Sequence, residues 1–194
     1  IYVNDGSTDE SLQVLKEIEV ENEFIKIINQ ENQGSSGARN TAIAIAKGTY
    51  IQFLDADDTI AIESIIQLLQ QAIKNNLDCL GYGMDFINEQ HKVLGKMPLH
   101  PLNYGQIQTG SQALISGYQP SSICVFLFKT SFLNENQLRI YPKITHMDVE
   151  FMTRVMILAT SVLFVHEVCY HYLQRQGSIT KPKTKVALES FLFD

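Results

Sequence analysis

An α/β fold with a mostly parallel central sheet flanked by helices is what this sequence predicts, and three observations carry that prediction. Through roughly the first 80 residues, short β-rich runs alternate with helical runs over short connections, the pattern of strands joined by helical crossovers. The polar clusters fall directly after the strand-like runs, where open α/β sheets bind ligands at the carboxyl ends of their strands. With 194 residues and 45% hydrophobic content, the chain is large and apolar enough to bury the core of one domain.

The elements follow in order. Residues 1–4 read as a strand stopped by Asp5-Gly6, and Ser7 with Glu10 has capping-box spacing ahead of a helix. Leu12, Val14, Leu15 and Ile18 recur at helical spacing and predict a stripe facing a core. Residues 24–28 read as the next strand, 29–37 as a polar loop with two glycines, and 38–46 as an alanine-rich helix closed by Gly48. A strand at 50–54 runs into Asp55-Ala56-Asp57-Asp58, and a helix at 60–75 directs Ile62, Ile65, Ile66, Leu69 and Ile73 inward. These three strands are expected to be parallel members of one sheet, with Asp5 and Asp55 in one crevice.

Beyond Asp78 the periodicity loosens through 79–88 into a turn at 89–92 and a loop with Pro and His at 97–104. Short helices are expected at 111–116 and 131–136, a strand at 124–128, a helix at 147–158, short strands at 162–165 and 170–173, and a further helix at 186–193. The first residues, Ile1-Tyr2-Val3, already read as a strand in progress, so the chain is expected to begin inside a domain.

Composition narrows the function. Fifteen Lys and Arg against 21 Asp and Glu give a net charge of −6, which argues against a nucleic-acid binder needing a basic face. Cys79, Cys124 and Cys169 are evenly spaced, which suits neither a zinc site nor a disulfide framework, and they read as reduced, buried thiols. No apolar run reaches the roughly 18 residues of a spanning helix, so a soluble, cytoplasmic protein is expected.

Three clusters carry candidate chemistry. Asp55, Asp57 and Asp58 crowd one strand end and repel one another unless a cation neutralises them, and Mg²⁺ or Mn²⁺ is the natural partner for carboxylate and phosphate oxygens. The same cluster also reads as a solvated turn whose Asp58 or Thr59 caps the next helix. Asp5 stands at a strand end where a cap has no need of it, free to accept hydrogen bonds from a base or sugar. Gly34-Ser35-Ser36-Gly37 places small residues before a helix N-terminus, a place suited to anions. Arg39, expected in the first turn of that helix against its dipole, reads as poised for a phosphate or an acidic-cluster carboxylate, or as an exposed side chain.

These stretches, VNDGSTD at 3–9, NQGSSGARN at 32–40 and FLDADD at 53–58, together resemble the family 2 glycosyltransferases, which have the GT-A fold and transfer a sugar from a nucleotide diphosphate donor. His146-Met147-Asp148-Val149-Glu150-Phe151 resembles the family's Glu-Asp pair opening a helix, with Met147 where Glu is usual. Tyr170-His171-Tyr172 through Arg175 to Thr180 resembles its tail signature. The resemblance implies that Asp5 binds the donor's base, that Arg39 lies near the nucleotide, and that Asp55 binds the donor while Asp57 takes Mn²⁺ or Mg²⁺; Arg175 reads either as covering the donor's diphosphate or as a solvated side chain. It makes Asp148 the general base of an inverting transfer.

It further implies a single domain over 1–194, with a Rossmann-like donor half at 1–78 and an acceptor half with a C-terminal tail at 79–194. The donor would be a UDP-sugar and the acceptor a saccharide or lipid-linked molecule, in polysaccharide or glycolipid synthesis, with peripheral association at the inner membrane face. Family members carry a strand before the VNDGSTD-like stretch, so a gap in the sheet is expected. Two alternatives stay open: a nucleotidyltransferase making nucleotide sugars, and a nucleotide-sugar-binding protein without catalysis, for which Met147 is the motivating feature.

Overall fold

A computed structural model describes residues 1–97 and 103–175. The expected helix at 186–193 and the end of the tail signature, 176–180, lie outside the described residues.

Strand β1 (Tyr2–Asp5) is followed by helix α1 (Ser11–Glu21) and strand β2 (Ile27–Gln30). β1 and β2 are parallel, with Tyr2 opposite Ile27 and Asp5 opposite Gln30. That register places the strand three residues later than the hydrophobic run 24–28 suggests. Phe24 is 91% exposed, and Ile25 N–H closes a turn on Asn22 O instead of entering the ladder. The capping box is likewise absent. The helix starts at Ser11, whose N–H donates to Asp9 Oδ1 (3.0 Å), because Gly6 turns the chain at φ 76° and leaves Ser7 outside the helix. No residue of α1 is buried, so its apolar stripe does not face a core: the helix packs mainly on the narrow β1–β2 pair, which leaves Val14 and Ile18 exposed.

Helix α2 (Gly34–Ile45) begins four residues before the expected 38, so Ser35, Ser36 and Gly37 lie in its first turn rather than in a loop. Strand β3 (Tyr50–Gln52), strand β4 (Thr59–Ile60) and helix α3 (Ile62–Lys74) come next. Ile60 is therefore strand and not helix, since it pairs, with Thr59, against a later strand. Ile65, Leu68 and Ala72 are the buried face of α3, whereas Ile62, Ile66 and Ile73 point out. Tyr50 Oη fixes the helix end to β3 by donating to Ala72 O (2.9 Å) and Leu77 O (2.7 Å).

Strand β5 (Cys79–Ile87) and strand β6 (Val93–Lys96) form a hairpin over the expected turn. Helix α4 (Gly110–Ile115), strand β7 (Phe126–Lys129), helix α5 (Thr130–Glu135), helix α6 (Met147–Leu158) and strand β8 (Val162–Leu173) complete the described chain. β5 lacks alternation because it is buried on both faces, and a run buried on both sides gives no period-2 signal. The two short strands expected at 162–165 and 170–173 are one strand, β8, interrupted by register shifts against β5.

The main sheet has six strands in the order β3-β7-β5-β8-β4, with β6 attached to β5. The α/β class holds, but parallel pairing is confined to β1–β2 and β5–β8; the remaining ladders are antiparallel. β1, β2 and β3 are not members of one parallel sheet. β3 pairs with β7, a strand from the second half of the chain that local alternation cannot announce, and β1–β2 form a separate two-stranded sheet. Among the described residues no ladder joins the β1–β2 pair to the main sheet. Its core is aromatic: Phe128 meets Phe53 and Phe151 edge-on, and Phe126 meets Phe164 the same way, arrangements favoured by the ring quadrupoles.

Candidate active site

Arg39 is the hub. It lies in the second turn of α2 and not the first, because the helix begins at Gly34. Its guanidinium reaches across to Asp55 Oδ1 (Nη2, 2.6 Å) and to Asp148 Oδ1 (Nη1, 3.4 Å), and its side chain is only 13% exposed. Burial works against its charge, yet the carboxylates of Asp55 and Asp148 hold its pKa above the ordinary value. Of the alternatives for Arg39, the structure realises the ion pair with the acidic cluster.

The acidic loop after β3 divides its three carboxylates among different tasks. Asp58 is 7% exposed and committed: Tyr170 Oη donates to its Oδ2 (2.6 Å) and Leu173 N–H to its Oδ1 (2.8 Å). Burial raises its pKa in spite of those two donors, and the neighbouring Asp57 and Asp55 add to the rise. Tyr170 also accepts from Asp55 N–H (3.3 Å), so one phenol ties both ends of the loop to β8. Asp57 instead faces solvent, 2.8 Å from Arg175 Nη2. Tyr170 is therefore a site residue that reads in the sequence as core; the aromatic pair around His171 is the available signal.

Among the described residues no three His, Cys, Asp or Glu side chains converge as a metal cage. The donor chemistry of Asp57 nonetheless fits Mg²⁺ or Mn²⁺, which bind through one or two carboxylates plus phosphate oxygens: it is an exposed hard-oxygen group with a single ion-pair partner to displace.

Asp148 stands in the first turn of α6, after His146 in the left-handed conformation (φ 57°). Its Oδ2 accepts from Ile123 N–H at 3.4 Å. Burial raises its pKa, with Arg39 and that N–H pulling the other way and Asp55 adding a further rise. Met147 turns toward α2, where Ser36 Oγ and Ser35 Oγ lie 2.7 and 3.6 Å from its sulfur. The two serines expected to suit an anion thus face a thioether. Cys124 Sγ lies 3.9 Å from Arg39, and burial pushes its thiol up to about 12, so it stays protonated and inert. All three cysteines are free and buried.

Asp5 sits at the end of β1 and uses one oxygen. Gln30 Nε2 (2.7 Å) and Gln33 N–H (2.9 Å) both donate to Oδ1. Gln33 immediately precedes α2, so the helix that carries Arg39 also anchors Asp5.

The family model described as "Glycosyl transferase family 2" matches residues 1–134, more than half of the chain. The chain belongs to glycosyl transferase family 2. Among its relatives are the uncharacterized glycosyltransferase YibD of Escherichia coli (strain K12), 25% identical over 93% of this chain and 54% of that protein. Another is the cholesterol galactosyltransferase of Borreliella burgdorferi, 26% identical over 98% of this chain and 57% of that protein. The chain spans little more than half the length of these relatives. In fold it is similar to S. aureus TarS residues 1–349 in complex with UDP-GlcNAc, with a TM-score of 0.73 at 20% identity over 90% of this chain and 49% of that one. GalNAc-T7 with UDP, GalNAc and Mn²⁺ follows at a TM-score of 0.61 and 18% identity, over 89% of this chain and 37% of that one. The curled sheet with flanking helices is the GT-A fold of this glycosyltransferase family.

Proposed function

We propose that the chain is the catalytic part of an inverting glycosyltransferase that moves a sugar from a nucleotide diphosphate sugar, a UDP-sugar, to a hydroxyl of a saccharide or lipid-linked acceptor. The observation that carries this reading is Arg39 between Asp55 and Asp148, which brings a donor-side carboxylate and a candidate base to one guanidinium. Residues 1–78 act as the donor half, and 79–194 supply the acceptor half and tail.

Asp5 accepts a hydrogen bond from the base through the oxygen its protein partners leave open. Asp55 takes the donor, and Arg39 and Arg175 lie beside its diphosphate. Asp57 is the residue that would hold Mn²⁺ or Mg²⁺. That cation, when bound, would neutralise charge growing on the departing diphosphate.

Asp148 accepts the proton of the acceptor hydroxyl as its oxygen bonds to the anomeric carbon and the bond to the diphosphate oxygen breaks. One displacement inverts that carbon. Burial raises the pKa of Asp148, which makes it a stronger base than an exposed carboxylate, while the Arg39 guanidinium opposes that rise.

A UDP donor is in keeping with the UDP-GlcNAc and UDP complexes of the structural neighbours, and a lipid acceptor with the cholesterol galactosyltransferase among the relatives. Among the described residues no helix is long and apolar enough to cross a membrane. Polysaccharide or glycolipid assembly, with the chain associating peripherally at the cytoplasmic membrane face, is the setting this reading extends to.

Calorimetry with UDP, with and without Mn²⁺, combined with release of UDP from a panel of UDP-sugars, tests it. Metal-dependent UDP binding with slow release of UDP supports the reading. Absence of any nucleotide-sugar binding overturns it, and binding without turnover on any acceptor leaves a donor-binding protein instead.

A further inference from the structure

The hydrogen bonds that reach Asp5 form a directed chain starting on α2. Thr41 Oγ1 donates to Gln30 Oε1 (2.7 Å), and Gln30 Nε2 donates to Asp5 Oδ1 (2.7 Å). The Gln33 N–H adds a second donor to the same oxygen (2.9 Å). The parallel register sets Gln30 directly opposite Asp5.

A side-chain amide has a donor end and an acceptor end, and its neighbours choose the orientation. Turning the Gln30 amide over would put its carbonyl oxygen against the Asp5 carboxylate, two acceptors at hydrogen-bond distance. Thr41 closes the other end by giving its proton to Oε1. Gln30 is thereby fixed, and Asp5 Oδ1 is filled by two N–H donors, which leaves Oδ2 as the acceptor for anything else and settles the plane of the carboxylate.

We propose that Gln30, backed by Thr41, is a positioning residue that holds Asp5 in the orientation selecting a base with a ring N–H, uracil, over one with a ring nitrogen lone pair at that place, cytosine. This rests on the reading of Asp5 as the base contact. A carboxylate oxygen only accepts, so it pairs with the N–H of uracil and faces the lone pair of cytosine unfavourably. A carboxylate free to swing would escape that conflict by turning to the exocyclic amine of cytosine. The Thr41–Gln30 chain removes the swing, so discrimination is built into residues that need not touch the base.

Calorimetry on the chain with UDP and CDP as probes tests this, with melting temperatures confirming that each variant folds. Wild type is expected to favour UDP. Gln30→Leu and Thr41→Val are expected to cut the UDP-to-CDP affinity ratio by about fivefold and threefold, and Thr41→Ser, which keeps the hydroxyl, to retain it. A ratio unchanged in both Thr41→Val and Gln30→Leu while Asp5→Asn abolishes the preference overturns the positioning role and leaves Asp5 as the base contact. A preference unaffected by Asp5→Asn overturns the base contact itself, and the positioning role with it.

Discussion

In the β1–α1–β2 unit no helix residue is buried and, among the described residues, the strands pair only with each other, whereas β5 is buried along nearly its whole length, with β8 on one side and β7 and then β6 on the other. Both regions carry carboxylates of the candidate site. Asp5, in the first, is held by a relay of polar side chains and one backbone N–H. Asp58 and Asp148, in the second, are held within a packed body, where burial raises the pKa of each. The difference teaches that a functional group on a thin element depends on hydrogen-bond partners alone for its position, while one on a thick element is held by packing as well as by its hydrogen bonds. Substitutions in the two regions should therefore fail in different ways.

The largest expected effect is chemical. Asp148→Asn keeps the shape of the packed region and should lower turnover by about two to four orders of magnitude, the range for loss of a general base, with UDP affinity unchanged. Sugar transfer at near wild-type rate would leave Asp148 a helix-terminal carboxylate only.

Next comes packing. A Cβ on Gly110 would stand 2.1 Å from Met156 O, where α4 crosses α6, so Gly110→Ala should cost about 3 kcal/mol or more in denaturant unfolding. Phe128→Ala, at the centre of the aromatic core, should cost about 3 to 5 kcal/mol. Against these, Ile18→Ala on the exposed side of α1 should cost no more than about 0.5 kcal/mol. Equal losses in both regions would break the contrast.

Tyr170→Phe sharpens it further. Removing the phenol takes one donor from buried Asp58 and one acceptor from Asp55 N–H, so about 1 to 3 kcal/mol of stability should be lost, with metal-dependent UDP binding weakened as the loop loosens.

The smallest effect is a pH slope. Asp148 is raised above its ordinary value, so the folded chain holds its proton more tightly than the unfolded one, and stability from this group falls as pH rises through the folded pKa. Asp148→Asn removes that term. The melting temperature of the variant relative to wild type should therefore be higher at pH 7 than at pH 4. A difference independent of pH would mean that Arg39 fully offsets the burial of Asp148.

The candidate site residues stand out in the sequence because they cluster in short polar motifs. Asp5, Arg39, Asp55, Asp57 and Asp58 all stand in such motifs, and the α6 boundaries at Met147 and Leu158 agree with the expected 147–158. Tyr170 was not legible as a site residue, because a buried phenol on a strand looks the same whether its hydroxyl meets a carboxylate or a carbonyl. Gln30 and Thr41 escaped for a similar reason: a glutamine in a strand and a threonine in a helix acquire a role only through their neighbours.

Local order of residues, then, determined the α/β class, most helices and the identity of the acidic and basic groups, since propensity, capping and motif spacing act over a few residues. Tertiary structure alone decided that β7 lies between β3 and β5, that β1–β2 stand apart from the main sheet, and that Arg39, paired with Asp55, also reaches Asp148 across 109 positions of sequence. Strand pairing and ion pairing depend on distance in space, and hydrophobic periodicity along the chain carries no record of which segments meet.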